Sequence, residues 1–302
     1  MQFVQRPDID CTKWDELVIN SPQASIYSQS FFLDATCQNW CLYVSSDYSK
    51  GIAVPFTEKL RKKIAYTPNF IRYLDFIGSL SEIEMDKFII EVQKQFKVGQ
   101  LAINSNTIKF AHSVSKYQIL YSKIENKYNN LAKRMLKRFD KSELVFSNTS
   151  DLTSVLNLVE NELSARIKTL NKSDFDHFSQ LIHQLFLNNQ LFFFGIYHST
   201  NTLVAGAFFS QFNGRITYIK GVSLKEYMQD GSMYKLLHEG IEFAKSNNFV
   251  FDFGGSNIDN ISQFFSNLGG ENKIYSILKW GREPMYYSLI KFMYHKLVKI
   301  RK

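Results

Sequence analysis

Apolar positions three and four residues apart alternate along the chain with runs of β-branched and aromatic residues. The first pattern predicts helices: Trp14, Leu17 and Val18 (ended by Ser21-Pro22), the segment 28–36, and Met85, Phe88, Ile89, Val92 and Phe96 behind a Ser81/Glu84 capping box. It recurs at Leu152, Val155, Leu156, Val159 and Leu163, and at Phe175, Phe178, Leu181, Ile182 and Leu185, each behind an Asp or Ser cap. A helix capped by Ser232 faces inward with Met233, Leu236, Leu237, Ile241 and Ala244, and a short one carries Ile261, Phe264, Phe265 and Leu268. The second pattern predicts strands over 42–45, 52–56, 64–67, 100–104, 117–122, 191–197, 203–212, 215–222, 249–253 and 274–280, with Asn213-Gly214 as a hairpin turn. Read coarsely, both halves run α, α, β, β, β, α, β, α, β. They share no obvious residue identity, so duplication rests on order and spacing.

With 302 residues and 45% hydrophobic residues, the chain is long enough for two globular domains. The expected divisions are 1–124, a basic linker helix and connecting strand over 125–148, then 149–283, and a basic amphipathic helix over 284–302. Cys11, Cys37 and Cys41 form no CxxC, and the six histidines form no HxxxH or HExxH pair, so no metal site is expected. No apolar run approaches the ~20 residues of a membrane span and the N-terminus lacks a signal-peptide core, which predicts a soluble, cytoplasmic protein. The net charge of +8 favours an anionic partner. Lys127, Lys133, Arg134, Lys137, Arg138 and Lys141 over 125–142 offer positive charge to such a partner, or else make a solvated linker. The segment 284–302 reads either as a peripheral membrane contact, at about 1 kcal/mol per basic residue, or as a helix packed on its own domain.

The stretch 249–280 gathers most of the candidate chemistry. Strand 249–253 runs into Gly254, Gly255, Ser256 and Asn257, where free backbone N–H groups meet a helix N-terminus and a ligand can approach. Asp252 is the acidic residue of that strand. It is a candidate general base for an amine, or a structural cap on neighbouring N–H groups. Lys220, at a strand end, either pairs with an anionic substrate or with Asp252, or is simply exposed. Arg72, Arg134 and Arg138 are candidates to hold a nucleotide or RNA phosphate.

Phe251-Asp252-Phe253-Gly254-Gly255-Ser256, followed by Phe264-Phe265 and Leu268-Gly269, resembles the signature of the tandem GNAT-fold, FemAB-like acyltransferases common in bacteria. Ala205-Gly206-Ala207, the strand end Tyr218-Ile219-Lys220-Gly221, the helix entry Asp230-Gly231-Ser232, Trp14 and the segment 27–31 add to it. The resemblance is strongest over 194–270. It implies an α/β (α+β) fold of two GNAT-like domains in tandem, each a mixed, mostly antiparallel sheet flanked by helices. It also implies transfer of an acyl group to an amine, from acyl-CoA or aminoacyl-tRNA, with a small molecule or cell-envelope precursor as acceptor and tRNA as a partner. The donor carbonyl would lie against backbone N–H groups at Tyr218, Gly221 and Val222, and a donor phosphate at Gly231, Ser232 and Met233. Gln229-Asp230-Gly231-Ser232 departs from the glycine-rich pyrophosphate loop, and Asp230 would repel a phosphate. That moves weight from acetyl-CoA towards a Fem-like donor, or towards a catalytically inactive module that binds an anionic partner.

Overall fold

The structure, a computed structural model, describes residues 1–281 except 60, 107, 109, 110, 123–126, 149, 150, 200, 256 and 257. The candidates Ser256 and Asn257 and the helix expected over 284–302 therefore lie outside the described residues. The first half runs β1 (Gln2–Gln5), α1 (Cys11–Ile19), α2 (Ser30–Thr36), β2 (Asn39–Val44), β3 (Gly51–Lys59), β4 (Lys62–Tyr66), α3 (Glu82–Gln95), β5 (Val98–Ile103) and β6 (Ser113–Leu120). A helix, α4 (Asn130–Phe139), leads on. The second half runs β7 (Leu144–Ser147), α5 (Leu152–Arg166), α6 (Lys172–Leu187), β8 (Leu191–His198), β9 (Leu203–Phe212), β10 (Arg215–Ser223), α7 (Ser232–Ser246), β11 (Val250–Asp252), α8 (Asp259–Asn267) and β12 (Glu271–Trp280).

The strands form one sheet of 12, in the order β1-β2-β3-β4-β5-β12-β6-β11-β10-β9-β8-β7. Each half contributes an antiparallel run that ends in one parallel pair, β4 with β5 and β10 with β11. The sixth place in each half is taken by the last strand of the other: β12 lies against β5, and β6 against β11. The two exchanged strands also pair with each other, Tyr275 opposite Ser115, which makes the sheet continuous.

Local chemistry accounts for most of these elements. Ser81 and Glu84 form the expected capping box of α3. Asn213 and Gly214 both have positive φ, as a two-residue hairpin turn requires. Some expectations need correction. Asn171, not Ser173, caps α6, in a second capping box with Asp174. Gly231, in the left-handed region, occupies the N-cap of α7, and Ser232 is already the first helical residue. A side chain at Gly231 would collide with the carbonyl of Met135 on α4, so this close approach excludes Ser, Asp or Asn from the cap. β1 was not foreseen, and no helix separates β5 from β6 among the described residues.

The sheet has cores on both faces, because alternate side chains point to opposite sides. Phe208 joins the core that contains Trp14, Phe32, Phe88, Val155 and Phe178, so α5 and α6 of the second half pack with the first. Its neighbour Phe209 joins the other core, with Leu236, Leu237, Phe251 and Phe253.

Candidate active site

Pairing of β10 with β11 stops at Thr217 opposite Asp252. β10 continues to Ser223, still paired with β9 but with a register shift between Tyr218 and Lys220. The two parallel strands therefore splay, and a cleft of about 560 Å³ opens at the splay. Its floor is residues 218–222 of β10. Its walls are Asn69–Arg72 and Tyr27 of the first half, the C-terminal end of α5 (Leu163, Arg166, Ile167), Met233 of α7, Phe253–Gly255, and the apolar face of α8. Both Gly254 and Gly255 have positive φ, and a side chain at Gly255 would strike the Cα and Cβ of Tyr117. The chain turns away from β11 here over the backbone of β6, which only glycine permits.

Beneath the cleft lies a buried ion cluster that joins the halves. Arg72 Nη1 donates to both carboxylate oxygens of Asp252, at 2.8 and 2.9 Å, and its Nη2 donates to the Tyr27 hydroxyl at 2.9 Å. Arg215 Nη1 donates to Asp252 Oδ2 at 2.9 Å, and the Gly254 N–H to Oδ1 at 2.9 Å. The register explains Arg215: it stands two residues before Thr217, on the same face of β10, beside the residue opposite Asp252. The Arg72 guanidinium is also enclosed by the rings of Tyr27, Tyr73 and Tyr117, 5.0 to 5.6 Å from its carbon. Burial alone would raise the Asp252 carboxyl, but Arg72 and then Arg215 outweigh it and hold it below the ordinary carboxylate value.

Asp252 is thus a charged anchor that is 1% exposed, and it does not line the cleft. The expectation of a general base meets a carboxylate whose oxygens are fully engaged and whose basicity is depressed. Its observed contacts are closer to the alternative reading of a structural cap, extended to two guanidinium groups. Lys220 does line the cleft, half-buried; it is not paired with Asp252, whose cations are Arg72 and Arg215. Burial pulls its ammonium below the ordinary lysine value. Arg166, which the sequence did not single out, lines the cleft and donates to the Ser223 carbonyl at 2.6 Å and to Glu162. Among the described residues the lining holds three cations, Arg72, Arg166 and Lys220, and no carboxylate or histidine.

The remaining candidates divide. Tyr218, Gly221, Val222, Met233, Gly254 and Gly255 come together at the cleft. The Tyr218 hydroxyl donates to the Gly221 carbonyl at 3.3 Å. Ser232 is fully buried, its hydroxyl donating to Ser223 Oγ at 2.7 Å and the Tyr227 carbonyl at 3.0 Å, and Gly231 packs against α4. Neither lines the cleft. Arg134 and Arg138 are exposed on α4, away from the lining, and Arg138 Nε lies 3.8 Å from Asp230. Phe264 and Phe265, on the apolar face of α8, line the cleft and belong to the core beneath it, with Phe265 buried and Phe264 half-buried. Arg215 and Tyr73 were also missed. A charged residue at the start of the strand, directly after the Asn213-Gly214 turn, is the one sequence signal that marks Arg215.

No family model and no curated protein matches this chain. Solved structures do. FemX superposes with a TM-score of 0.65 at 10% identity, over 96% of this chain and 100% of that one. L-PGS from Bacillus licheniformis gives a TM-score of 0.56 at 14% identity, covering 93% of this chain and 95% of that one. A tandem GNAT protein from the clavulanic acid biosynthesis pathway gives 0.53 at 12% identity, over 94% and 99% of the two chains. At such identities the likeness carries the fold. The repeated strand order, the splayed parallel pair and these neighbours together show that the chain has the fold shared by FemX, L-PGS and the tandem GNAT protein.

Proposed function

We propose that the protein is a Fem-like N-acyltransferase that moves an acyl or aminoacyl group to an amine in the cleft beside β10. The observation that carries this reading is the splay after Thr217 and Asp252, which exposes the edge of β10 at residues 218–222 to a cationic cleft. A donor carbonyl laid along this edge would accept hydrogen bonds from its backbone N–H groups, which strengthen as the oxygen gains charge in the tetrahedral adduct. The amine nitrogen forms the new bond to carbon, and the thiolate or ribose oxygen of the donor leaves with a proton.

No described lining residue is a carboxylate or histidine, so the acceptor enters as the free amine or gives its proton to solvent or substrate. Asp252 acts as a positioning residue: with Arg215 and Gly254 it fixes the turn that forms one wall. Lys220 binds an anionic group of donor or acceptor. The setting of Ser232 and Gly231 disfavours a phosphate there, because the Ser232 hydroxyl is already bonded and the Met135 carbonyl presses on Gly231. This favours aminoacyl-tRNA or another donor whose phosphates lie outside the α7 entrance over acetyl-CoA. Exposed Arg134 and Arg138 on α4 are suited to a tRNA backbone, and a cell-envelope precursor near the membrane surface is the acceptor class that fits the FemX and L-PGS likenesses.

A transfer assay with labelled acyl-CoA and aminoacyl-tRNA against a panel of amine acceptors tests this directly. Label should move to an acceptor from one of the two donors, with a rate that rises with pH towards the acceptor amine's own pKa. Absence of transfer from either donor, together with retained anion binding, would favour the second reading, an inactive GNAT-fold module holding an anionic partner. Lys220, a cleft cation with no ion-pair partner among the described residues, is the observation behind that alternative.

A further inference from the structure

The walls of the cleft are apolar over most of their extent. Phe70 and Ile71 stand on one side, Leu163 and Ile167 on a second, and Ile258 with the apolar face of α8 supplies a third. Ile258 and Ile261 on that third side are 61% and 39% exposed at the cleft. Exposed isoleucines on the rim of an apolar cleft are a cost that an apolar occupant removes. Two of the three lining cations already have partners: Arg72 in Asp252, which it shares with Arg215, and Arg166 in Glu162 and the Ser223 carbonyl. Lys220 has no hydrogen-bonding or ion-pairing partner among the described residues, and its only perturbation is burial. Lys220 Nζ is not among the buried polar atoms that lack a partner, so it keeps contact with water, which an apolar occupant alone would strip away and an anionic head would replace.

We infer that the cleft binds a single-chain anionic amphiphile, its phosphate or carboxylate head on Lys220 and its chain along Leu163, Ile167 and α8. This deepens the acyl-transfer reading, on which it rests for the further statement that the amphiphile is a co-substrate. A neutral chain would leave Lys220 uncompensated, and a short anion would leave the α8 rim exposed, so the two halves of the ligand are required together.

Calorimetric titration of the full chain with decyl phosphate, decanoate, ethyl phosphate and decanol, each below its aggregation threshold, tests the inference. Decyl phosphate or decanoate should bind about a hundredfold more tightly than ethyl phosphate, since each added buried methylene contributes to affinity. Which of the two binds better identifies the head as phosphate or carboxylate. Lys220→Met, which keeps an apolar stem, should weaken the anionic chain about tenfold or more and leave decanol within about twofold. Lys220→Arg should restore anionic binding, and Ile261→Asp should weaken every chain. Thermal unfolding of each variant separates these effects from loss of fold.

Equal binding of ethyl phosphate and decyl phosphate would reduce the site to an anion pocket and overturn the inference, as would an unaltered affinity in Lys220→Met. Binding is read without turnover, so the two readings fail separately. Chain binding without transfer removes the transferase proposal, whereas transfer to a compact acceptor without chain binding removes this one.

Discussion

Beyond its parallel pair β4 and β5, the first half fills the gap with its own chain: Leu74 donates to Ala102 and accepts from Asn104, bridging β5 where β4 has turned away. Beyond β10 and β11 the second half leaves the gap open, and the cleft lies there. The inserted segment also supplies Arg72 to the opposite half and Asp75 to its own. Asp75 is buried but held by neutral donors, the backbone N–H and hydroxyl of Ser25, the hydroxyl of Ser28 and the amide of Asn104, and burial raises its carboxyl above the ordinary value. Asp252, equally buried, is held by two guanidinium groups and falls below it. The segment that fills the first half's gap thus also forms a wall of the other half's cleft, with Arg72 as the strut.

If the exchanged strands bind the halves as tightly as the sheet order indicates, separating them is the severest way to break the comparison. Chains 1–124 and 125–302 made apart should each lack a cooperative denaturant transition, since each loses the strand that covers β5 or β11. Independent cooperative unfolding of the 1–124 piece would show that the exchange is dispensable. Next in size, Asp252→Ala should cost about 3–5 kcal/mol in urea unfolding, because two buried guanidinium groups lose their counter-charge. Asp75→Ala, which strands only neutral donors, should cost about 1–3 kcal/mol. Equal losses would erase the distinction between the two carboxylates.

Acid sharpens it further. The folded Asp252 carboxyl lies below its unfolded value of about 4, so its contribution is complete above that pH and lost as pH falls through the folded pKa. The stability gap between wild type and Asp252→Asn, followed by denaturant titration, should close across that acidic range. Gly255→Ala should cost about 2 kcal/mol, from strain at positive φ and collision with Tyr117, with the larger relative effect on transfer because it reshapes the cleft wall. The smallest stability effect belongs to Lys220→Met. It relieves an uncompensated half-buried charge, so the melting temperature should hold or rise slightly even as ligand affinity falls.

Much of this was legible from residues because local signals and tertiary demands agree. The Asn213-Gly214 turn, the Ser81/Glu84 box and the helical faces of α3, α5 and α7 each follow from a few neighbouring residues. The Phe251–Gly255 segment could be singled out as strand, aspartate and glycine turn. What its aspartate does could not, because its partners Arg72 and Arg215 are brought to it by sheet topology and parallel register rather than by proximity in sequence. β1 escaped because its four residues, Gln2 to Gln5, hold two adjacent apolar residues between two polar ones, with no period-two alternation to mark a strand. Ser232 carries a capping residue type at a helix start, yet the close approach of Met135 gives the cap to Gly231 and buries the hydroxyl one position later.

The crossing of β6 and β12 also governs how the chain must reach this structure. Leu101 on β5 finds its partner at Leu278, and Ile119 on β6 pairs with Asp252 and Glu271, so neither half of the sheet is finished until the distant strand arrives. Until then, β5 and β11 each present an unpaired edge, the kind of surface that templates association between chains. Closure of such remote pairs is slow, because loop entropy is spent before the contacts repay it. Folding should therefore pass through a long-lived intermediate with both edges bare, refolding yield should fall with protein concentration, and a chaperone that masks strand edges should recover it.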